Sequence, residues 1–232
     1  MNDFAGRLTG VATPFGLLAF WGGLWLSAER YPTEFDWRYM TMSNLVSAAG
    51  NPAGHLWASL GIAACAIGIW CWAAQWKSRR KRQGSPAPPI AIWALRAGIL
   101  CMACASAVPQ SVLRVPKGHE ILALLAFFGL CLAIVQLAYQ AAARRGPDTF
   151  GQGLSGARLY AGIVAGAALL PVVLAALAQL YVNVALPQLH WVGLEWREQH
   201  IPVYLSFAFW EWITCAIFSG YLLVLSRLIR AR

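Results

Sequence analysis

The stretch AIGIWCWAAQWKSRRKRQGSPAPPIAIWALRAGIL, residues 66–100, sets five cations (Lys77, Arg79, Arg80, Lys81 and Arg82) and a Pro-rich break between two apolar runs. Working outward from it, six apolar stretches alternate with short polar gaps, at about residues 8–28, 53–76, 90–108, 121–143, 159–186 and 201–225. Each is near or above the ~20 residues a helix needs to cross ~30 Å of hydrocarbon at about 1.5 Å per residue. Backbone polar groups find no water in that medium, so the stretches are expected to be helices. The fifth is too long to cross upright and is expected to tilt, to kink at Pro171 or to emerge beyond the bilayer.

Composition agrees. Hydrophobic residues make up 59% of the 232 and charged residues 12%, against roughly 45–50% and about 25% in a soluble domain. Mean hydropathy is +0.56. Nothing is left over for a soluble domain, so the reading is one all-α polytopic domain of six transmembrane helices over residues 1–232. The first apolar stretch has only Arg7 ahead of it, is long, and is followed by no A-x-A site, so a retained helix is expected rather than a cleaved signal.

The gaps sort the charges. Arg7, Lys77, Arg79, Arg80, Lys81, Arg82, Arg144, Arg145, Arg158, Arg227, Arg230 and Arg232 fall on one side of the implied membrane. Glu29, Glu34, Asp36, His55, His119, Glu120, His190, Glu195, Glu198 and His200 fall on the other. By the positive-inside tendency both termini are cytoplasmic and the His-bearing gaps face outward. The net charge of +9 therefore marks orientation and contact with anionic headgroups, not nucleic-acid binding. All seven tyrosines lie near span ends or in outer loops, as belt residues do. Short loops and the lack of an N-glycosylation acceptor point to a bacterial inner membrane.

Glu211, in FAFWEWITC, is the most costly residue. A helix starting near residue 201 places it about 15 Å deep, where a carboxylate must pair, take up a proton or line a cavity. Arg96 lies about 9 Å deep from the other side, so a buried Arg96–Glu211 ion pair is expected. The alternative is a functional carboxylate beneath an outer rim formed by His119, Glu120 and His200, with Ser43 and Asn44 adding neutral hydrogen-bonding groups. In that case Glu211 or Glu120 is the candidate base, with His119 and His200 as acid–base partners. Trp37, Trp191 and Trp196 are suited to the headgroup layer or a partner surface.

The six cysteines all fall inside spans, where the residue usually packs, and CMAC at 101–104 has no second pair to exchange electrons with. No H-E-x-x-H, P-loop, dinucleotide fingerprint or G-x-S-x-G occurs. No metal or other cofactor is expected. Gly162 and Gly166 form a G-x-x-x-G, and Gly61, Cys65 and Gly68 line the second span; both read as close packing, with the former open to a homodimer.

Two segments, YMTMSNLVSAAGNPAGHLWASLGIAACAIG before and into span two and VPQSVLRVPKGHEILALLAFFGLCLA before and into span four, carry a family pattern. Across about 100 residues the chain resembles the six-helix damage-regulated autophagy modulator (DRAM) family and its bacterial relatives of unknown function. Ser43, Pro52, His119, Glu120 and Phe127 or Phe128 are the matching positions, with Glu211 as a weaker match in the last helix; Met42 stands where the pattern has Ile. The resemblance implies a membrane protein tied to lipid organisation or partner regulation, with no established catalysis.

The expectation is a non-enzymatic integral membrane protein that binds lipid or a partner protein at its outer face through Ser43, Asn44, His119, Glu120, Glu211, Trp191 and Trp196. Its alternatives are a membrane-embedded enzyme acting on a lipid headgroup, and an accessory subunit of a respiratory or photosynthetic complex.

Overall fold

The computed structural model describes residues 2–82, 89–107, 118–143, 153–186 and 195–230. Six long helices carry the chain: α1 (Asn2–Ala28), α3 (His55–Arg82), α4 (Pro89–Ala107), α5 (Gly118–Ala143), α6 (Gly153–Ala185) and α8 (Phe207–Arg230). Two short ones, α2 (Met42–Val46) and α7 (Glu195–Glu198), and a 3-10 turn at Val203–Leu205 belong to the connections. Among the described residues there is no strand.

Each long helix packs on the next in sequence, and α8 returns to α1, closing a ring. Two antiparallel hairpins are the tightest parts, and glycines make them so. A Cβ on Gly23 would stand 2.5 Å from the Trp57 carbonyl, and one on Gly61 would stand 2.6 Å from the Ala19 carbonyl. Gly16 and Gly68 repeat the arrangement seven residues along each helix. A seven-residue spacing on both partners keeps one seam facing the other over two turns. In the second hairpin a Cβ on Gly98 would stand 2.9 Å from the Ala126 carbonyl, and one on Gly129 would stand 2.8 Å from that of Ala94. Without side chains at these points the backbones approach closely, which is how helices gain contact where lipid is as apolar as leucine.

The ring interior holds Leu17, Leu24, Ile62, Ile69, Leu95, Ile134 and Phe218, all buried. The exterior is just as apolar: Phe15, Leu18, Ile67, Trp93, Ile163 and Val184 are exposed. A helix bundle that is hydrophobic on both faces belongs in lipid. Four helices contain stretches long and apolar enough to cross a membrane, Val11–Ala28, His55–Ser78, Gly162–Ala185 and Phe207–Val224, while α4 and α5 contribute the shorter Ile90–Ser106 and Ile121–Leu137.

Two sequence expectations change, while α6 is, as expected, too long to cross upright: it runs as one helix through Pro171 for 33 residues, about 50 Å, longer than the hydrocarbon layer. Gly162 and Gly166 have nothing within 4 Å of a built Cβ, so the G-x-x-x-G does not pack inside the chain. The last helix starts at Phe207 rather than residue 201. Pro202 is extended at φ −55, ψ 134, and the N–H groups of Leu205 and Ser206 fold back on the carbonyls of Pro202 and Val203, forming a single turn before α8. Glu211 is thereby only four residues from the helix start, about 6 Å along the axis, rather than ten.

Candidate functional site

The ends of α1, α3, α6 and α8 on the acid-bearing side are joined by a compact cap, residues 29–54 and 195–206. Its deepest member is Asn51, fully buried. The Asn51 Nδ2 group donates to the Ser27 carbonyl (3.1 Å), to Ser27 Oγ (2.9 Å) and to the Leu45 carbonyl (3.3 Å), while Oδ1 accepts from the Gly54 N–H (3.0 Å). One amide thus ties the last turn of α1 to the end of α2 and the start of α3. Ser27 reinforces the tie by donating to the Leu45 carbonyl at 3.1 Å. A Cβ on Gly54 would collide with the Asn51 amide at 2.5 Å and the Ser27 carbonyl at 2.6 Å.

Above this pin sits α2. Asn44 Oδ1 accepts from both the N–H and the hydroxyl of Thr41 (3.0 and 2.6 Å), and the Thr41 hydroxyl is 2.6 Å from that of Ser43. Ser43 and Asn44, expected to offer polar groups to a ligand, are engaged in starting their own helix. Glu211 Oε2 accepts from the Met42 N–H at 3.1 Å, a first-turn donor that α2 itself cannot satisfy. One residue on, Trp212 Nε1 donates to the Met40 carbonyl at 2.9 Å, and its ring lies 6.0 Å from Trp21 and 6.1 Å from Phe35. The start of α8 is therefore fastened to the segment preceding and opening α2 by a carboxylate and an indole from neighbouring positions.

The second half of the cap is ionic. Asp36, 4% exposed at its side chain, takes both its oxygens to Arg38: Nε–Oδ1 and Nη2–Oδ2 are each 2.8 Å. Arg197 Nε approaches Oδ2 at 3.8 Å and its Nη1 bonds Glu34 at 3.0 Å. The Arg38 guanidinium holds the Asp36 carboxyl below the ordinary aspartate value against the opposing effect of burial, with Arg197 adding to the pull. Arg30, Arg38 and Arg197 stand on the acid-bearing side as exceptions to the charge sorting; Arg38 and Arg197 pair with acids there, and Arg30 lies 5.3 Å over the Trp57 ring. Tyr39 is buried and its hydroxyl donates to the Ile201 carbonyl at 2.6 Å; it is not a belt residue.

Among the described members of the expected site, Ser43, Asn44 and Glu211 gather at α2, while Trp196 and His200 lie elsewhere in the cap. Trp196, expected in the headgroup layer, is 2% exposed and packs with Tyr39 and Val182. Its place there is set by burial: the cap has a small core of its own. His200 is exposed and left-handed at φ 54, ending the turn whose N–H bonds the Arg197 carbonyl. Arg96 and Glu211 form no ion pair. Arg96 lies 4.6 Å over the Trp70 ring, because α4 packs on α3 and α5 while α8 packs on α6 and α1. His119 and Glu120 open α5, but their side chains lie outside the described residues, as does Trp191. His55 turns Nδ1 to the carbonyls of Asn51 and Pro52 at 3.2 and 3.1 Å, which requires the Nδ1–H form.

Asn51, Asp36, Arg38 and Arg197 were not singled out as a set by the sequence. The signal for the ionic set is faint: Arg38 and Arg197 are two of five cations, with Arg30, Arg114 and Lys117, in the gaps where the acids collect. Asn51 had none beyond the N-P that follows a turn. Neither Thr41 nor Ser43 hydrogen-bonds a histidine or carboxylate. Among the described residues no three His, Cys, Asp or Glu side chains gather to hold a metal.

What the cap does present is aromatic surface. Trp37, 45% exposed, stacks on Phe209 at 5.9 Å. Phe209 meets Trp210 edge-on at 5.1 Å, and Trp210 Nε1 donates to the Tyr204 carbonyl at 2.8 Å. Tyr204 and Phe207 complete an exposed patch beside the ion pairs.

The chain matches no family model, no curated protein and no solved structure.

Proposed function

We propose that this chain is a six-span protein of a bacterial inner membrane, with both termini cytoplasmic, whose outer cap binds lipid headgroups or a partner membrane protein without catalysing a reaction. The observation that carries the reading is the exposed aromatic patch of Trp37, Tyr204 and Phe207 on a cap held rigid by Asn51 and the Asp36 pairs. Aromatic rings with one polar edge suit the boundary between hydrocarbon and water, and a rigid base lowers the ordering cost of binding. The ring closure supports counting α4 and α5 as spans with the four longer ones, and the basic gaps support the orientation. The DRAM-like pattern around Ser43 and His119 points the same way. Among the described residues, Glu211 is bonded to the Met42 N–H, and the contact of His200 is through its backbone.

The test is native mass spectrometry of the protein purified in mild detergent, alongside the Trp37→Ala/Tyr204→Ala double variant. The wild type is expected to carry phospholipid or a stoichiometric protein neighbour, and the variant to lose most of that mass while melting normally. A variant that retains the same adducts as the wild type overturns the reading.

A further inference from the structure

Arg96 stands seven residues inside α4, about 10 Å from the Pro89 end. Its guanidinium lies over the Trp70 ring at 4.6 Å, its Nε is buried with no hydrogen-bond partner, and no acidic side chain among the described residues pairs with it. Guanidinium groups keep their charge when buried. An unpaired cation inside an apolar helix is costly, and such residues normally point to a partner or a pathway. The face of Trp70 attracts the charge but accepts no hydrogen bond in the plane of the fork. An acceptor with several oxygens is what this site lacks.

The surroundings say where that acceptor comes from. Trp70 is 44% exposed, and Trp93, one turn before Arg96 on α4, is 68% exposed, so the groove opens toward lipid. Lys77 lies seven residues beyond Trp70, two turns along the same face of α3, and is exposed. Because α3 and α4 run antiparallel, Lys77 is level with Pro89, at the basic end of the bundle. The groove therefore carries a point charge at its mouth, a fork of N–H donors one headgroup-length deeper, and indoles on both sides.

We infer that the α3–α4 groove on the basic side binds the phosphodiester of an anionic phospholipid. The Arg96 fork takes the phosphate oxygens, Lys77 supplies the second positive charge nearer water, and Trp70 and Trp93 flank the first part of the acyl chains. Basic recesses between spans on the cytoplasmic side are suited to such headgroups. This site is on the opposite side from the aromatic cap and does not depend on it.

The experiment titrates delipidated full-length protein in detergent with phosphatidylglycerol, phosphatidylcholine and soluble glycerol phosphate, reading bound adducts by native mass spectrometry. Phosphatidylglycerol is expected to bind at least about fivefold more tightly than phosphatidylcholine, since one basic residue near an anionic headgroup is worth roughly that factor. Glycerol phosphate is expected not to bind. Arg96→Gln should remove most of the preference, and Lys77→Gln should weaken phosphatidylglycerol about fivefold. The inference is overturned if both variants keep the wild-type preference, or if glycerol phosphate binds as well as the lipid. Lys77 is exposed, so if Arg96→Gln does not fold, Lys77→Gln decides alone: an unchanged affinity contradicts the site. Trp37→Ala/Tyr204→Ala should leave the preference intact, which separates this outcome from the cap reading.

Discussion

Asn51 shows how a buried amide becomes stabilising. Removing its polar atoms from water costs free energy that only complete pairing recovers, and here both Nδ2 and Oδ1 have partners on three different segments. Asn51→Leu removes the bonds to the Leu45 carbonyl and the Gly54 N–H, which keep only the Ser27 hydroxyl and the Asn51 backbone carbonyl as partners, at about 0.5–1.5 kcal/mol for each bond lost. The variant is expected to melt roughly 2–12 °C lower in detergent, at about 2–4 °C per kcal/mol for a chain of this size; an unchanged melting temperature contradicts the pin. Asp36 gives a prediction in pH. Its folded carboxyl lies below the ordinary value of 3.8, so the stabilisation is complete above that value and disappears as the pH falls below it. Hydrogen exchange at the Tyr39 and Met40 amides, both bonded to the Asp36 carbonyl and corrected for intrinsic rates, should accelerate in that acid range in the wild type. Asp36→Asn should exchange faster at neutral pH and show little further change in acid. Equal protection in the two proteins at neutral pH contradicts this role. Neither residue was conspicuous in the sequence: a single asparagine carries no charge, and a solvated loop aspartate has the same letters as a buried one.

At the scale of elements, apolar runs fall on all six long helices; α1, α3 and α6 extend six residues into their flanks, and α8 is the exception in starting six residues late. That exception arose because hydropathy counts Ile201, Val203 and Leu205 as span, whereas Pro202 directs the backbone into an extended step and one turn. The shift moved Glu211 from ten residues along the expected helix to the first turns of the observed one, where a free N–H of α2 receives it. Packing motifs were legible only in part. The four-residue G-x-x-x-G of α6 is conspicuous but faces outward, whereas the seven-residue spacing of Gly16 and Gly23 against Gly61 and Gly68 forms the closest contact. Gly61→Ala forces a methyl to within 2.6 Å of the Ala19 carbonyl and is expected to destabilise by about 1–3 kcal/mol. Gly166→Ala meets open space and should be neutral or stabilising by up to about 1 kcal/mol, since alanine is the better helix former. Thermal melts of the two single variants check this, and the reverse order of stability would refute the seam.

For the whole molecule, the pattern of charges carries the orientation, because long-range sorting depends on which gap a residue occupies and not on its contacts. The same pattern misses the cap, whose arginines matter through single pairs: Arg38 with Asp36, and Arg197 with Glu34. A closed ring of helices, apolar inside and out, with a rigid polar cap at one end and cations at the other, is the central claim. Single cysteines placed at Thr33 and Glu198 on the cap, and at Ser78 on the basic end, test it against a membrane-impermeant maleimide applied to intact cells. The native cysteines all lie within helices and give the background. The account predicts labelling at positions 33 and 198 in intact cells and at 78 only after the membrane is opened; labelling of 78 from outside, or of all three alike, would contradict it.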